Sequence, residues 1–304
     1  MSASAPPAVT SGHFVQVAAD VRLHYASCGA PGAPLMVFLH GFPAFWYAWR
    51  ALLPAFGERF HAVAPDLRGY NLSDKPTDVR AYRASALVAD IDALVRGLGH
   101  ERCVLVAHDW GGAAAWSYAI AHPQRVARLV ILNSPHPVPF ARALAHDAAQ
   151  QAASQYMNWL RRPGSEAVLA RDGFARLDDF FLRLGGAAWF HGEVRDAYHA
   201  AWAQPGAIAG GVNYYRASPL YPPIGDDPGA ARLALAEDDF VVRAKTLVIW
   251  GDGDTALLPV LLDGLDRLVP DLRIVWLADA THWLVHEQPQ RIIREISGFV
   301  DDAA

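Results

Sequence analysis

Residues 104–113, Val-Leu-Val-Ala-His-Asp-Trp-Gly-Gly-Ala, constrain this chain more than any other stretch. An apolar run of buried-strand type ends in one carboxylate, Asp109, set among small residues, and an alanine-rich segment of helical character follows at once. A strand turns sharply into a helix there, with Asp109 at the bend. The backbone at such a bend is strained and crowded, which explains Ala107, Gly111 and Gly112 beside it. A carboxylate in that position can attack an electrophilic carbon to give an alkyl ester, and a water must then release the product. The plainer alternative is that Asp109 only caps the helix that follows it.

The 304 residues are 53% hydrophobic and 19% charged, enough to bury a sizeable core in one large or two modest domains. A net charge of -5 and a pI near 6.2 offer no basic footprint for nucleic acid, and no Lys/Arg-rich run would dock on an anionic membrane. A small neutral ligand fits this balance better. Residues 1–12 read as a loose tail with neither the basic nor the apolar segment of a signal peptide, and no uncharged span reaches transmembrane length. Cys28 and Cys103 have no CxxC or metal-like spacing and read as reduced structural thiols, so a cytoplasmic protein is expected. The expected partners are a small-molecule substrate and water, with a homodimer allowed and neither nucleic acid nor membrane involved.

In chain order, segments 13–17 and 21–26 suggest a hairpin, 35–39 a buried strand, 46–56 a helix and 60–64 a further strand. The turn Asp66-Leu-Arg-Gly-Tyr-Asn-Leu-Ser73 comes next. Apolar residues at helical spacing (Leu87, Ile91, Leu94, Val95, Leu98) predict a helix over 83–98, stopped by Gly99. A strand over 103–107 feeds the bend, a helix over 113–121 leaves it, and 126–132 is the next strand. Strands and helices alternating in this way argue for a mostly parallel sheet, eight-stranded in all, with helices on both faces. From 137 to 238 no convincing strand occurs; aromatic-rich helical stretches are broken by Pro163-Gly164, Gly185-Gly186, Pro205-Gly206 and Gly210-Gly211. This is expected to be an inserted helical cap, leaving 1–136 and 239–304 as the core domain. The alternation resumes with 246–250, 257–268, 273–277 and 291–300.

Ligands bind at the carboxyl ends of strands in open parallel sheets. Four features gather there: His40-Gly41-Phe42-Pro43, Asp109, the loop Gly251-Asp-Gly-Asp254, and Ala280-Thr-His-Trp283. Read in order, they supply an oxyanion-hole loop, a nucleophile, an acid and a histidine. That order resembles the α/β-hydrolase superfamily over essentially the whole chain. Within it, an Asp nucleophile followed by Trp110 resembles the epoxide hydrolases and their dehalogenase relatives. The Asp66-Leu-Arg-Gly-Tyr turn is similar to theirs, with Asn71 where glycine is usual, a tolerable exchange because Asn enters left-handed backbone more easily than most residues. Asn213-Tyr-Tyr-Arg216, preceded by Gln204-Pro-Gly206, resembles the family segment that carries one ring-opening tyrosine, at Tyr215. Tyr156, seven residues before Pro163-Gly164, matches the position of the other.

The resemblance implies an epoxide hydrolase acting on a small or medium epoxide through an aspartyl ester. Tyr156 and Tyr215 would bond the epoxide oxygen while Asp109 attacks a ring carbon. His282, oriented by Asp254, would then activate water, with the amides of Phe42 and Trp110 holding the oxyanion. Neither metal nor organic cofactor is implied. His40, Trp110, Trp159 and Trp283 are expected around the substrate, His40 being read also as shaping its own loop, while Trp46, Trp189 and Trp202 line the pocket or fill the interface between cap and core. Competing positions stay open: Asp252 or Asn133 in place of Asp254, and Tyr214 in place of Tyr215. His108 and His136 are assigned no chemistry. The alternative activity is that of a haloacid or haloalkane dehalogenase. Fluoroacetate dehalogenases carry arginines where this chain has Trp110 and Ala113, and the haloalkane enzymes usually have Asn where it has Phe42, so both patterns are departed from.

Overall fold

The computed structural model describes residues 7–183 and 188–302. Eight strands form one sheet in the order β1-β2-β4-β3-β5-β6-β7-β8. They are β1 (Thr10–Ala18), β2 (Val21–Cys28), β3 (Leu35–Leu39), β4 (His61–Pro65), β5 (Cys103–His108), β6 (Val126–Leu132), β7 (Thr246–Gly251) and β8 (Leu272–Leu277). β2 pairs antiparallel with β1 and β4, and the remaining pairs are parallel. Every residue of β3, β4, β5 and β7 is buried, as expected for interior strands of a parallel sheet covered on both faces.

α1 (Leu53–Gly57) links β3 to β4, α2 (Ala84–Gly97) links β4 to β5, and α3 (Asp109–Ala121) links β5 to β6. The first connection runs toward one sheet edge and the next two toward the other. Right-handed crossovers therefore put α1 on one face and α2 with α3 on the opposite face, and α2 does pack against α3. Leu87, Ile91, Leu94 and Val95 form the buried stripe of α2, each worth about 1.5–3 kcal/mol of apolar burial. Gly99, at φ +81°, takes the left-handed turn that ends it. The strand order reverses between β3 and β5, so a crevice opens at their carboxyl ends.

Between β6 and β7 lie α4 (Pro137–His146), α5 (Ala148–Ala153), α6 (Gln155–Leu160), α7 (Ser165–Leu169), α8 (Ala175–Leu182), α9 (Gly192–Trp202) and α10 (Ala207–Ala217). Among the described residues of this stretch there is no strand, only an isolated bridge from Ile224 to Asp227. α11 (Leu265–Leu268), α12 (Leu284–Glu287) and α13 (Pro289–Asp301) complete the chain. The Gly185-Gly186 break and residues 1–6 of the expected tail lie outside the described residues.

Three expectations need correction. Residues 10–12 are not tail but the start of β1, because Thr10 pairs with Ser27 and the Gly12 amide donates to His24 Nε2 at 3.0 Å. The helix expected over 46–56 is a 3₁₀ turn, Trp46–Trp49, followed by α1, whose second residue is Pro54; proline lacks the amide a continuous helix would need. The 257–268 segment likewise splits into a 3₁₀ turn at Pro259–Leu262 and the single turn of α11, separated by Gly264 at φ +72°. No described helix is long and apolar enough to cross a membrane.

Candidate active site

Leu39 of β3 pairs in register with Ala107 of β5, so the chain leaving each strand arrives side by side: His40 to Phe42 next to His108 and Asp109. Asp109 is at φ +51°, a left-handed conformation that costs a non-glycine residue roughly 1–3 kcal/mol. Its neighbours must be small. A Cβ on Gly111 would lie 2.4 Å from the Leu39 carbonyl oxygen, one on Gly112 2.3 Å from Ser134 Cβ, and one on Gly41 2.0 Å from Asp109 Oδ1. Ser134 Oγ donates to the Asp109 carbonyl at 2.7 Å and steadies the bend. The helix N-cap is His108, and the Asp109 carboxylate reaches across to the Phe42 amide, which donates to Oδ1 at 2.6 Å. The reading of Asp109 as a mere cap fails on that geometry.

Asp254 and His282 come to the same crevice from the loops after β7 and β8. His282 Nδ1 donates to Asp254 Oδ2 at 2.7 Å, which turns Nε2 toward Asp109 Oδ2, 3.7 Å away. The second distance is an ionic contact, too long for a direct hydrogen bond. Asp254 is buried and saturated: Oδ1 accepts the amides of Ala256 and Leu257 at 2.8 and 2.9 Å, and Oδ2 also accepts Asn133 Nδ2 at 2.7 Å. Asn133 in turn accepts the Gly251 amide at 2.8 Å, so it braces the acid and does not replace it. Asp252 is turned away, accepting the Asp279 amide at 3.0 Å.

The charges reinforce one another. Burial alone would raise the Asp109 carboxyl, but the facing charge of His282, with help from the Trp110 amide, holds it below the usual carboxylate range. Burial alone would lower His282, but the Asp254 charge and the facing Asp109 outweigh it and lift the imidazole to about 10. The resting site is an imidazolium between two carboxylates. His108 is buried and lowered to about 4 chiefly by desolvation, so its neutral ring donates from Nε2 to the His282 carbonyl at 2.8 Å. His136, also lowered to about 4 by burial, joins Phe240 and Val138 and lies outside the chemistry.

Above the sheet, Tyr156 of α6 and Tyr215 of α10 stand with ring centroids 6.1 Å apart. Tyr215 sits edge-on between the rings of Trp110 at 5.0 Å and Phe42 at 5.3 Å. Burial pushes both phenols up, and the Asp109 charge adds to it, so both stay protonated across the neutral range. Tyr214, the competing position, spends its hydroxyl on the Arg68 carbonyl at 3.0 Å. A cavity of about 470 Å³ holds Asp109, Tyr156, Tyr215 and His282 in one lining with Phe42, Trp159 and Trp283. A second, of about 280 Å³ and lined mostly by apolar side chains, shares Asp109, Tyr156 and Tyr215 with it and adds Trp110.

His40 is a correction. It lines neither cavity and is fully buried, with Nε2 accepting the Leu67 amide at 3.0 Å and Nδ1 facing the Gly41 carbonyl at 3.0 Å. It shapes the loop. Trp46, Trp189 and Trp202 also line neither cavity, and Trp202 instead ties α9 to the core through the Pro43 carbonyl at 2.7 Å. Sequence reasoning left His108 without a task and held Asn133 only as a runner-up to Asp254, not as its brace; a polar residue at the end of each of two adjacent strands was the available signal.

Residues 34–289 match the family described as alpha/beta hydrolase fold. Epoxide hydrolase 3 of Mus musculus is 34% identical, over 98% of this chain and 77% of its own length. Epoxide hydrolase 4 of Homo sapiens is 32% identical, over 93% of this chain and 76% of its own. A crystal structure of the Bacillus megaterium epoxide hydrolase in complex with an inhibitor superposes with a TM-score of 0.86 at 34% identity, covering 95% of this chain and 100% of that one. The chain belongs to the α/β-hydrolase fold family and, within it, to the epoxide hydrolases.

Proposed function

We propose that this hydrolase opens a small or medium epoxide to a vicinal diol through a covalent ester on Asp109. The observation that carries the reading is the sharing of two cavities by Asp109, Tyr156 and Tyr215, a nucleophile and two protonated phenols around one space. Segment 137–238 then acts as the cap that brings the acids, and the core brings the nucleophile and base.

Oδ2 of Asp109, free of the Phe42 amide, attacks a ring carbon while the phenols bond the epoxide oxygen. A carbon–oxygen bond of the ring breaks, and the alkoxide takes a proton that the imidazolium of His282 ultimately supplies. The ester carries no charge, so the pull that Asp109 exerts on His282 disappears when a neutral base is needed. His282 then takes a proton from water, hydroxide adds to Cγ, and Oδ1 becomes the oxyanion held by the amides of Phe42 and Trp110. Collapse expels the diol, and the carboxylate and imidazolium are restored. The proton lent in the first half-reaction returns in the second.

The test is a matched panel of styrene oxide, a haloalkane and a haloacetate, with diol and halide measured in the same reactions. Diol from the epoxide is expected to exceed halide from either competitor. Halide release dominating with no diol would overturn the reading.

A further inference from the structure

The 66–73 turn holds no reacting group, yet much of the buried polar network of the core converges on it. Asp66 accepts the His24 ring at 2.6 Å, Asn71 Nδ2 at 2.8 Å and the Trp46 amide at 3.0 Å. Arg68 forms a two-pronged ion pair with Asp90 of α2 and donates to the Ala81 carbonyl at 2.7 Å. Asn71, at φ +39°, thus does more than tolerate the glycine position, because its side chain helps to lock the turn.

What rests on the turn is α10. Gly69, at φ +88°, and Gly210 meet backbone to backbone: a Cβ on Gly210 would lie 2.3 Å from the Gly69 carbonyl oxygen and 2.6 Å from its Cα. The adjoining Tyr214 hydroxyl donates to the Arg68 carbonyl at 3.0 Å. Tyr215 is five residues beyond Gly210 on the same helix, about 7.5 Å along its axis, so any displacement at the contact passes through a rigid rod to the phenol.

We propose that the Gly69–Gly210 contact sets the height of Tyr215 over Asp109, making Gly210 a positioning residue for ring opening. The proposal rests on the epoxide-opening reading above. Any side chain at 210 must lift α10 by roughly an ångström, a displacement large enough to cost about a hundredfold in a step that depends on that hydroxyl. Release of the ester depends on His282 and the oxyanion amides, and does not use the height of α10.

The experiment follows the two half-reactions with styrene oxide under excess enzyme, reading the Asp109 adduct by intact-protein mass. Gly210→Ala is expected to slow adduct formation at least tenfold and to leave adduct decay within twofold of the parent. Tyr214→Phe, which loosens the same contact without adding bulk, is expected to slow formation by a smaller factor with decay again unmoved. Tyr215→Phe closes the cycle: in that background Gly210→Ala should cost adduct formation no more than twofold, since the group it displaces is gone. Additive losses, slowing of both half-reactions alike, or parent-like formation in both Gly210→Ala and Tyr214→Phe would overturn the proposal while leaving epoxide opening intact. A parent-like Tyr215→Phe enzyme would instead remove the ring-opening role of Tyr215, and the proposal with it.

Discussion

The backbone amide of Phe42 holds Oδ1 of Asp109 at 2.6 Å, while Oδ2 faces His282 Nε2 at 3.7 Å. One carboxylate thus has a fixed oxygen and an available one. If the available oxygen forms the ester, the first diol made under excess enzyme in heavy-oxygen water should carry ordinary oxygen, and the label should appear in Asp109. Mass spectrometry of diol and active-site peptide reads both. Immediate labelling of the first diol would reduce Asp109 to a base.

Removing the base should separate the half-reactions. His282→Ala is expected to form the ester, with solvent in place of the imidazolium reprotonating the phenols, and to release it slowly, lowering turnover by about 10²–10⁴-fold, the usual worth of a positioned general base. An adduct equal in mass to the whole epoxide should accumulate. Bound substrate without any adduct would contradict the covalent route.

The phenols are the next target. Changing both Tyr156 and Tyr215 to Phe removes two hydroxyls and little volume, so the fold and substrate binding should survive while epoxide opening is lost. Near-UV circular dichroism checks the fold and diol formation the activity. Turnover at the parent rate would sink the assignment of the acids to the cap.

The charge pattern gives opposite pH signatures. Asp109 is held below the usual carboxylate range, so adduct formation should persist on acidification until the pH falls below that range. His282, raised to about 10 in the folded protein from an ordinary value of 6.5, contributes stability that is fully present below 6.5 and is lost as pH rises through about 10. Melting temperature should therefore decline across that alkaline window, and the decline should flatten in Asp254→Asn, where the principal charge lifting His282 is gone. An unchanged slope in that variant would show that the imidazole is not held by the acid.

Glycine positions separate sharply by their surroundings. Gly41→Ala would place a Cβ 2.0 Å from Asp109 Oδ1 and is expected to destabilise by about 1–3 kcal/mol and to abolish adduct formation. Gly298→Ala meets nothing within 4 Å inside α13 and should stabilise by roughly 0.5–1 kcal/mol through helix propensity. Urea titration measures both, and a neutral Gly41→Ala would remove the steric account of the bend.

The bend at Asp109 was legible in the sequence because its strain dictates the small neighbours Ala107, Gly111 and Gly112, and the periodicities of 2 and 3.6 locate most strands and helices by which residues can face a core. The breaks at Pro54 and Gly264 follow from local chemistry as well, since proline lacks the amide a continuous helix needs and glycine enters left-handed backbone freely. Other features depend on chain segments far apart in sequence. Asp254 and Asp252 stand two residues apart in one loop, and only the positions of His282, Asn133 and the Asp279 amide decide which of them faces the histidine. Tyr214 and Tyr215 are adjacent, and it is the Arg68 carbonyl, 146 residues from Tyr214, that consumes the first hydroxyl and leaves the second for the cavity. His40, one residue past a strand end like a site residue, proves to be a loop strut because the Leu67 amide needs its ring. Local sequence determines backbone preference and the kind of chemistry available; which polar group is satisfied elsewhere, and which is left to react, is decided by distant neighbours competing for the same hydrogen bonds.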